Sequence, residues 1–313
     1  MELIRYTSPY DSKETLDLIE EIFGKDEREL ETPQLNGAEA KYNEDIVYLA
    51  KDGDTTLGMI HATLPKALPH IAGVSAMCTT EAARGKGIGK LLFKNIVEEM
   101  DTLGVKTSFL GTGNPIAAKL YSGFGFSYLP GSHVMVRMTE GGYVDFTRDY
   151  FGRTEGKITV TEGDASMRIP IIPLVLNGGD QIILDANTHL VSSVIFTQSF
   201  CMSLYPRYVR LARDGGYFFG AKDERGVLGA MASVAKDSFG EMRADFFTVS
   251  SFESCVPDLI YALKEKCDTF YVEVADSDES KLRLISDYIA DTPTPSEYRH
   301  NSVIIPTKKI KIK

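Results

Sequence analysis

The sequence predicts an α/β protein in which one mixed β-sheet, covered by helices, is built twice along the chain. Three observations carry that reading. Strand-like and helix-like stretches alternate through the first half, and the second half repeats part of their order. The 313 residues, 43% hydrophobic and 25% charged, are enough for two globular domains of about 150 residues each.

The opening "LIRYT" reads as a strand. "DSKETLDLIEEIFG" follows as a helix, with Asp11 or Ser12 as N-cap and Gly24 at its C-terminal end. "DIVYLAKDGDTTLGMIHATL" sets two apolar-rich strands around Asp52-Gly53, a hairpin signal. "HIAGVSAMCTT" is a further strand. Over 87–103, Ile88, Leu91, Leu92, Ile96, Met100 and Leu103 recur at steps of three and four, the spacing of one helix face. "KTSFLGTG" is a strand, "PIAAKLYSGFG" a short helix and "SHVMVRM" a strand, completing the order β-α-β-β-β-α-β-α-β.

In the second half, "KITVTEGDASM" resembles the opening strand, and "YFFGAKDERGVLGAMASV" parallels "VYLAKDGDTTLGMIHATL". From Gly58 to Thr79 is 21 residues, and the same step from Gly229 reaches Ser250 at the end of "FFTVSS". A helix ("VPDLIYALKEKC"), a strand ("TFYVEVA"), a helix ("ESKLRLISDYI") and a strand ("NSVIIP") follow. The pattern sets one domain at 1–140 and a second at 156–313, joined through a Gly- and Asp-rich stretch. The basic tail "TKKIKIK" alternates Lys with Ile and reads as a closing edge strand.

No run approaches the roughly 18 to 20 apolar residues that span a bilayer, and the N-terminus lacks the pattern of a signal peptide. The four cysteines, Cys78, Cys201, Cys255 and Cys267, are scattered without a CxxC. They read as free thiols in a reducing cytoplasm, and no zinc or other metal site is expected. A net charge of −10 argues against a nucleic-acid partner, which needs a basic face to displace counterions.

Residues 83–96 read "ARGKGIGKLLFKNI". If this stretch joins a strand end to a helix start, the first helical turn carries backbone N–H groups with no internal partner at the positive end of the dipole. Gly85, Gly87 and Gly89 remove side chains so that a phosphate can come close, and Arg84, Lys86 and Lys90 add positive charge. That is an anion site suited to a pyrophosphate. It is neither a P-loop nor the dinucleotide GxGxxG, because the glycines at 85, 87 and 89 space as GxGxG.

Twenty-five residues after Gly89, "NPIAAKLYSGFGF" begins. Arg84-x-x-Gly87-x-Gly89, then Asn114, Tyr121 and the closing Gly125-Phe126, resemble the GNAT superfamily of N-acetyltransferases over residues 1–138. The resemblance implies a GNAT-like fold and acetyl-CoA as co-substrate. It implies that the amides of Gly85, Lys86, Gly87, Ile88, Gly89 and Lys90 take the pyrophosphate, with Arg84 beside them. It places the pantetheine arm on backbone groups of Met77 and Thr79, with Asn114 adding a bond. The amide near Met77 and Cys78 would then polarise the thioester carbonyl, and Tyr121 would act as the general acid that protonates the leaving thiolate.

The general base stays open among Glu81, His70, His61 and Glu44. Cys78 could carry an acetyl group, though a structural thiol is the simpler reading. The second half has "FESCVPDLIYALKEK" where a phosphate loop should stand, with no glycine. It reads as a degenerate GNAT-like domain that shapes the acceptor pocket or serves a structural role. The function implied is acetyl transfer to a primary amine, on a small molecule or a peptide, with no nucleic acid or membrane partner and no defined oligomeric state. The alternatives are a non-catalytic acyl-CoA- or partner-binding protein and an enzyme using a longer acyl donor.

Overall fold

A computed structural model describes residues 1–177, 182–193 and 201–313. They divide into two compact units. The first spans Met1–Tyr143 and takes in a short stretch that includes Cys201–Ser203; the second holds the rest, to Lys313.

The first unit runs β1 (Glu2–Thr7), α1 (Lys13–Phe23), α2 (Lys25–Leu35), β2 (Asn43–Asp52), β3 (Thr55–Pro65), β4 (Ile71–Thr79), α3 (Ile88–Thr102), β5 (Thr107–Gly111), α4 (Pro115–Ser122), β6 (Phe126–Tyr128) and β7 (Val134–Met138). Its strands form one sheet in the order β1-β2-β3-β4-β5-β7-β6. All neighbours are antiparallel except β4 and β5. Alternation along the strands divides the core. Ile46, Ile60, Ala62, Ala72 and Val74 face α3 and α4, whereas Val47, Leu49 and Met59 face α1 and α2. Helix α3 buries Ile88, Leu92, Phe93, Ile96, Val97 and Met100, each contributing about 1.5–3 kcal/mol of apolar burial. Leu103, expected on that face, is the exposed C-cap.

Helix α2 has no counterpart among the predicted elements. Gly24, at φ +95°, ends α1 and begins α2, a turn only glycine makes without strain.

The second unit opens with α5 (Tyr143–Phe151), which straddles the division. It continues with β8 (Thr159–Glu162), α6 (Ile171–Leu176), β9 (Ile183–Asp185), β10 (Leu190–Ser192), α7 (Leu204–Arg213), β11 (Tyr217–Lys222), β12 (Leu228–Lys236), β13 (Met242–Thr248), α8 (Val256–Lys264), β14 (Phe270–Ala275), α9 (Glu279–Ile285), β15 (Thr294–His300) and β16 (Val303–Ile312). Its main sheet has the order β15-β16-β14-β13-β12-β11-β8. Read from β8, strand order and direction match the first sheet step for step, with β13 and β14 as the one parallel pair. The tail is corrected by this topology. It belongs to β16, which pairs with β14 on one side and β15 on the other, so its Lys–Ile alternation reflects an inner strand. Ser250 likewise lies past the strand, in a 3₁₀ turn.

Among the described residues no helix is long and apolar enough to cross a membrane. The four cysteines are free, with Cys78, Cys201 and Cys255 buried and Cys267 half-buried.

Candidate active site

The parallel pairing of β4 with β5 covers only Ile71–Gly73 against Thr107–Phe109. Beyond it the two strands separate, and a cavity of about 350 Å³ lies where they part. Val74–Met77 form one wall, and Leu110–Thr112, Asn114, Ala117 and Tyr121 the other. Phe23 and Glu27 reach it from the α1–α2 side, together with Cys201, Met202 and Ser203.

The β4 wall is irregular for a definable reason. Met59 pairs with Cys78 but His61 pairs with Ser75, so Ala76 and Met77 together oppose Ile60. This is a β-bulge, with Ala76 at φ +46°. The extra residue reverses the strand's alternation. Ala72 and Val74 pack toward α3, while Ala76 and Cys78 pack toward α1 and α2. Met77 is thereby turned toward α3 and the cavity.

At the end of β4 the chain passes through a 3₁₀ turn at Glu81–Ala83 into the glycine-rich loop. Gly85 and Gly87 have φ of +74° and +80°, and Gly87 is the N-cap of α3. A Cβ at either would meet nothing within 4 Å, so the space over the loop is open. At Gly89 a Cβ would stand 3.1 Å from Met77 Cε, which ties the loop to the bulged strand. The first turn of α3 holds no acidic residue, and Arg84, Lys86 and Lys90 are exposed around it. Its first amides and the dipole therefore face open space beside three cations.

Tyr121 is buried on α4 and stacks on Phe93 with ring centroids 4.6 Å apart. Burial, aided by Cys78, pushes its hydroxyl up to about 12, so it holds its proton at neutral pH. Cys78 is buried among α1 and α2 residues and does not line the cavity. Burial pushes its thiol up to about 12, which leaves no thiolate for a covalent route. Asn114 lines the cavity, but its Oδ1 accepts from the Ile116 and Ala117 amides at 2.9 and 3.4 Å. Its first task is to cap α4. Thr79 pairs with Gly58 at the strand end.

None of the four predicted bases lines the cavity. Glu81 is exposed, and the backbone of His70 anchors the start of β5 by accepting from the Lys106 and Thr107 amides. Glu44 pairs with Leu64 on the opposite side of β3 from β4. His61 is fully buried between Glu31 and Asp45. The ionisable residue missed in the sequence is Glu27.

In the second unit the described residues leave little space at the equivalent place. β13 pairs with β14 only through Arg243–Tyr271 and Ala244–Val272, and no bulge interrupts its register with β12. The space beyond, lined by Phe246, Phe247, Thr248, Asp278 and Lys281, amounts to about 10 Å³. A buried ion pair between Lys281 and Asp245 lies beside it. Asp278 caps α9 as Asn114 caps α4. Where the glycine loop would be, Phe252 packs against Gly229.

Residues 13–126 match the model of the Acetyltransferase (GNAT) family. Comparison with curated proteins finds no match. Among solved structures, the chain is similar to the GNAT family N-acetyltransferase YhbS from Escherichia coli in complex with CoA, at 19% identity over 44% of this chain and 82% of that one, TM-score 0.34. It is similar to yncA from Salmonella typhimurium with its cofactor acetyl-CoA, at 10% identity over 50% and 94%, TM-score 0.37. Tetrahymena GCN5 gives 14% identity over 45% and 97%, TM-score 0.36. The family match identifies residues 13–126 as a GNAT acetyltransferase domain.

Among the described residues no group of three or more His, Cys, Asp or Glu is arranged to hold a metal ion.

Proposed function

We propose that the chain is a cytoplasmic, acetyl-CoA-dependent N-acetyltransferase that moves acetyl to a primary amine by direct attack in a ternary complex. The observation that carries this reading is the parting of β4 from β5, with the bulge at Ala76–Met77 on one wall and Tyr121 on the other. Acetyl-CoA would supply an activated thioester. The Gly85–Lys90 amides would hold its pyrophosphate, and backbone groups of Met77 and Thr79 its pantetheine arm. An open groove of about 660 Å³ between α3 and α4, bordered by Lys90, Lys119 and the Lys94–Glu98 ion pair, suits its nucleotide end.

A tetrahedral intermediate places negative charge on the thioester oxygen. A backbone amide at Met77 or Cys78, beside the bulge, would stabilise that charge without reorganising. Tyr121 would give its proton to the departing thiolate. The second unit, unbulged and with its cleft filled, is proposed not to bind acetyl-CoA.

The test is thermal unfolding with acetyl-CoA titrated in. Wild type should gain about 2.7 kcal/mol at a hundredfold excess over the dissociation constant, and Gly87→Glu should gain nothing. Absence of any gain in wild type would overturn the reading.

A further inference from the structure

Resting on that reading, we propose that Glu27 receives the acceptor's ammonium group and takes the proton the amine must lose, so that the acceptors are alkyl amines that are cationic at neutral pH. Among the described residues, the cavity's lining is apolar or neutral apart from one carboxylate, that of Glu27. Among the described residues no cation answers it. Arg28, the next residue, is committed to Asp17 at 2.7 Å and Glu20 at 3.0 Å on α1. A half-buried carboxylate with no counter-charge is costly to keep, and a bound ammonium would offset that cost.

The position is fixed from below. Glu27 and Glu31 are four residues apart on α2 and share a face. Glu31 is bonded to buried His61 of β3 at 2.6 Å, and Gln34 donates to Thr63 of the same strand at 2.7 Å. These bonds hold the helix on the sheet, so Glu27 lines the same cavity as Ser75 and Tyr121. Burial first, and the charge of Glu31 second, raise the Glu27 carboxyl above its ordinary value, which makes it a better proton acceptor near neutral pH.

The ammonium gives one proton to the Glu27 carboxylate, and the freed nitrogen forms a bond to the thioester carbon. The C–S bond breaks with its electron pair on sulfur, and the thiolate takes the Tyr121 proton. The nitrogen's second proton restores the phenol, and Glu27 returns its proton to solvent. One proton is released per amide formed.

The experiment follows thiol release from acetyl-CoA by the full chain at about pH 7.5. The probes are a panel of alkyl amines led by tyramine and spermidine, and p-anisidine, an arylamine already neutral at that pH. Wild type should prefer the alkyl amines. Glu27→Gln should lower kcat/KM for them by about 100-fold or more and change the arylamine rate by less than about threefold. Glu27→Asp should recover part of the loss. The acetyl-CoA thermal shift should be the same in all three proteins, which separates a lost carboxylate from a lost fold. The proposal is overturned if Glu27→Gln stays within about threefold on the alkyl amines or if the arylamine is the better substrate. It is also overturned if acetyl-CoA binds and no alkyl amine reacts. No acetyl-CoA shift in wild type instead overturns the underlying functional reading.

Discussion

Oε2 of Glu31 on α2 lies 2.6 Å from Nδ1 of His61 on β3, with both side chains buried. The other ring nitrogen, Nε2, is 3.0 Å from Oδ1 of Asp45 on β2. Thr63 donates to that same Oδ1 at 2.7 Å, and the Ser75 hydroxyl lies 3.1 Å from Nδ1. One imidazole thus serves two carboxylates that could not otherwise stay buried. Burial alone would lower the pKa of His61, but Glu31 and Asp45 outweigh it and push it up to about 9. The acidic helix α2 is held to the sheet by this charged cluster as well as by the apolar contacts of Leu35.

His61→Leu removes the cation and leaves both carboxylates buried. Breaking a buried pair from one side costs about 3–5 kcal/mol, and that loss should appear as a lower urea midpoint with an unchanged m-value. A change below about 0.5 kcal/mol, the scale of a surface substitution, would show that the cluster contributes little to holding α2 in place.

The same cluster sets a pH dependence. His61 has its pKa raised from an ordinary 6.5 to about 9. Its contribution to stability is therefore complete below about pH 6.5 and is lost as pH rises through about 9. The stability difference between wild type and His61→Leu, followed by urea unfolding across that window, should shrink steadily with rising pH. A difference that grew with pH would contradict a protonated His61.

Tyr121→Phe keeps the ring on Phe93 and removes only the hydroxyl. If that hydroxyl supplies the thiolate's proton, kcat should fall by about 10²–10⁴-fold, with the acetyl-CoA thermal shift and the melting temperature nearly unchanged. Equal rates in the two proteins would leave Tyr121 a packing residue and send the proton through water.

What could be read in advance was what depends on local geometry. Gly85 and Gly87 need positive φ wherever they sit, and Tyr121 lies seven residues after the N-cap Asn114, so the motif and its spacing carry the information. Glu27 was invisible because "KDERELETPQL" has no apolar periodicity. Such a run reads as a solvated face, and it becomes a helix lying on a sheet through the pairing of Glu31 with His61 and of Gln34 with Thr63 on β3, together with the burial of Leu35. The matched "Leu-Gly" pairs show a different limit. A Cβ at Gly58 would stand 2.6 Å from the Cys78 carbonyl oxygen, whereas at Gly229 it would strike the Phe252 ring. One sequence signature thus answers to a close strand in the first unit and to a filled pocket in the second. The tail reads as an edge strand from its sequence and is an inner one in the sheet, because strand order is a property of the whole sheet.

The filled pocket leads to a stoichiometry. Titration calorimetry should find one acetyl-CoA per chain, although the two sheets share strand order and direction. In the second unit Asp245 is fully buried, and burial raises its carboxyl to about 7 even with Lys281 beside it. Lys281→Ala would enlarge the cleft but leave that carboxyl without its cation, at a cost of about 3–5 kcal/mol. It would restore neither the strand bulge nor the glycine-built helix start that a pyrophosphate needs. The variant should therefore be less stable and still bind one acetyl-CoA. A second equivalent, in wild type or variant, would mean that an unbulged strand and a glycine-free helix start suffice, and the first unit's loop could no longer be held responsible for binding.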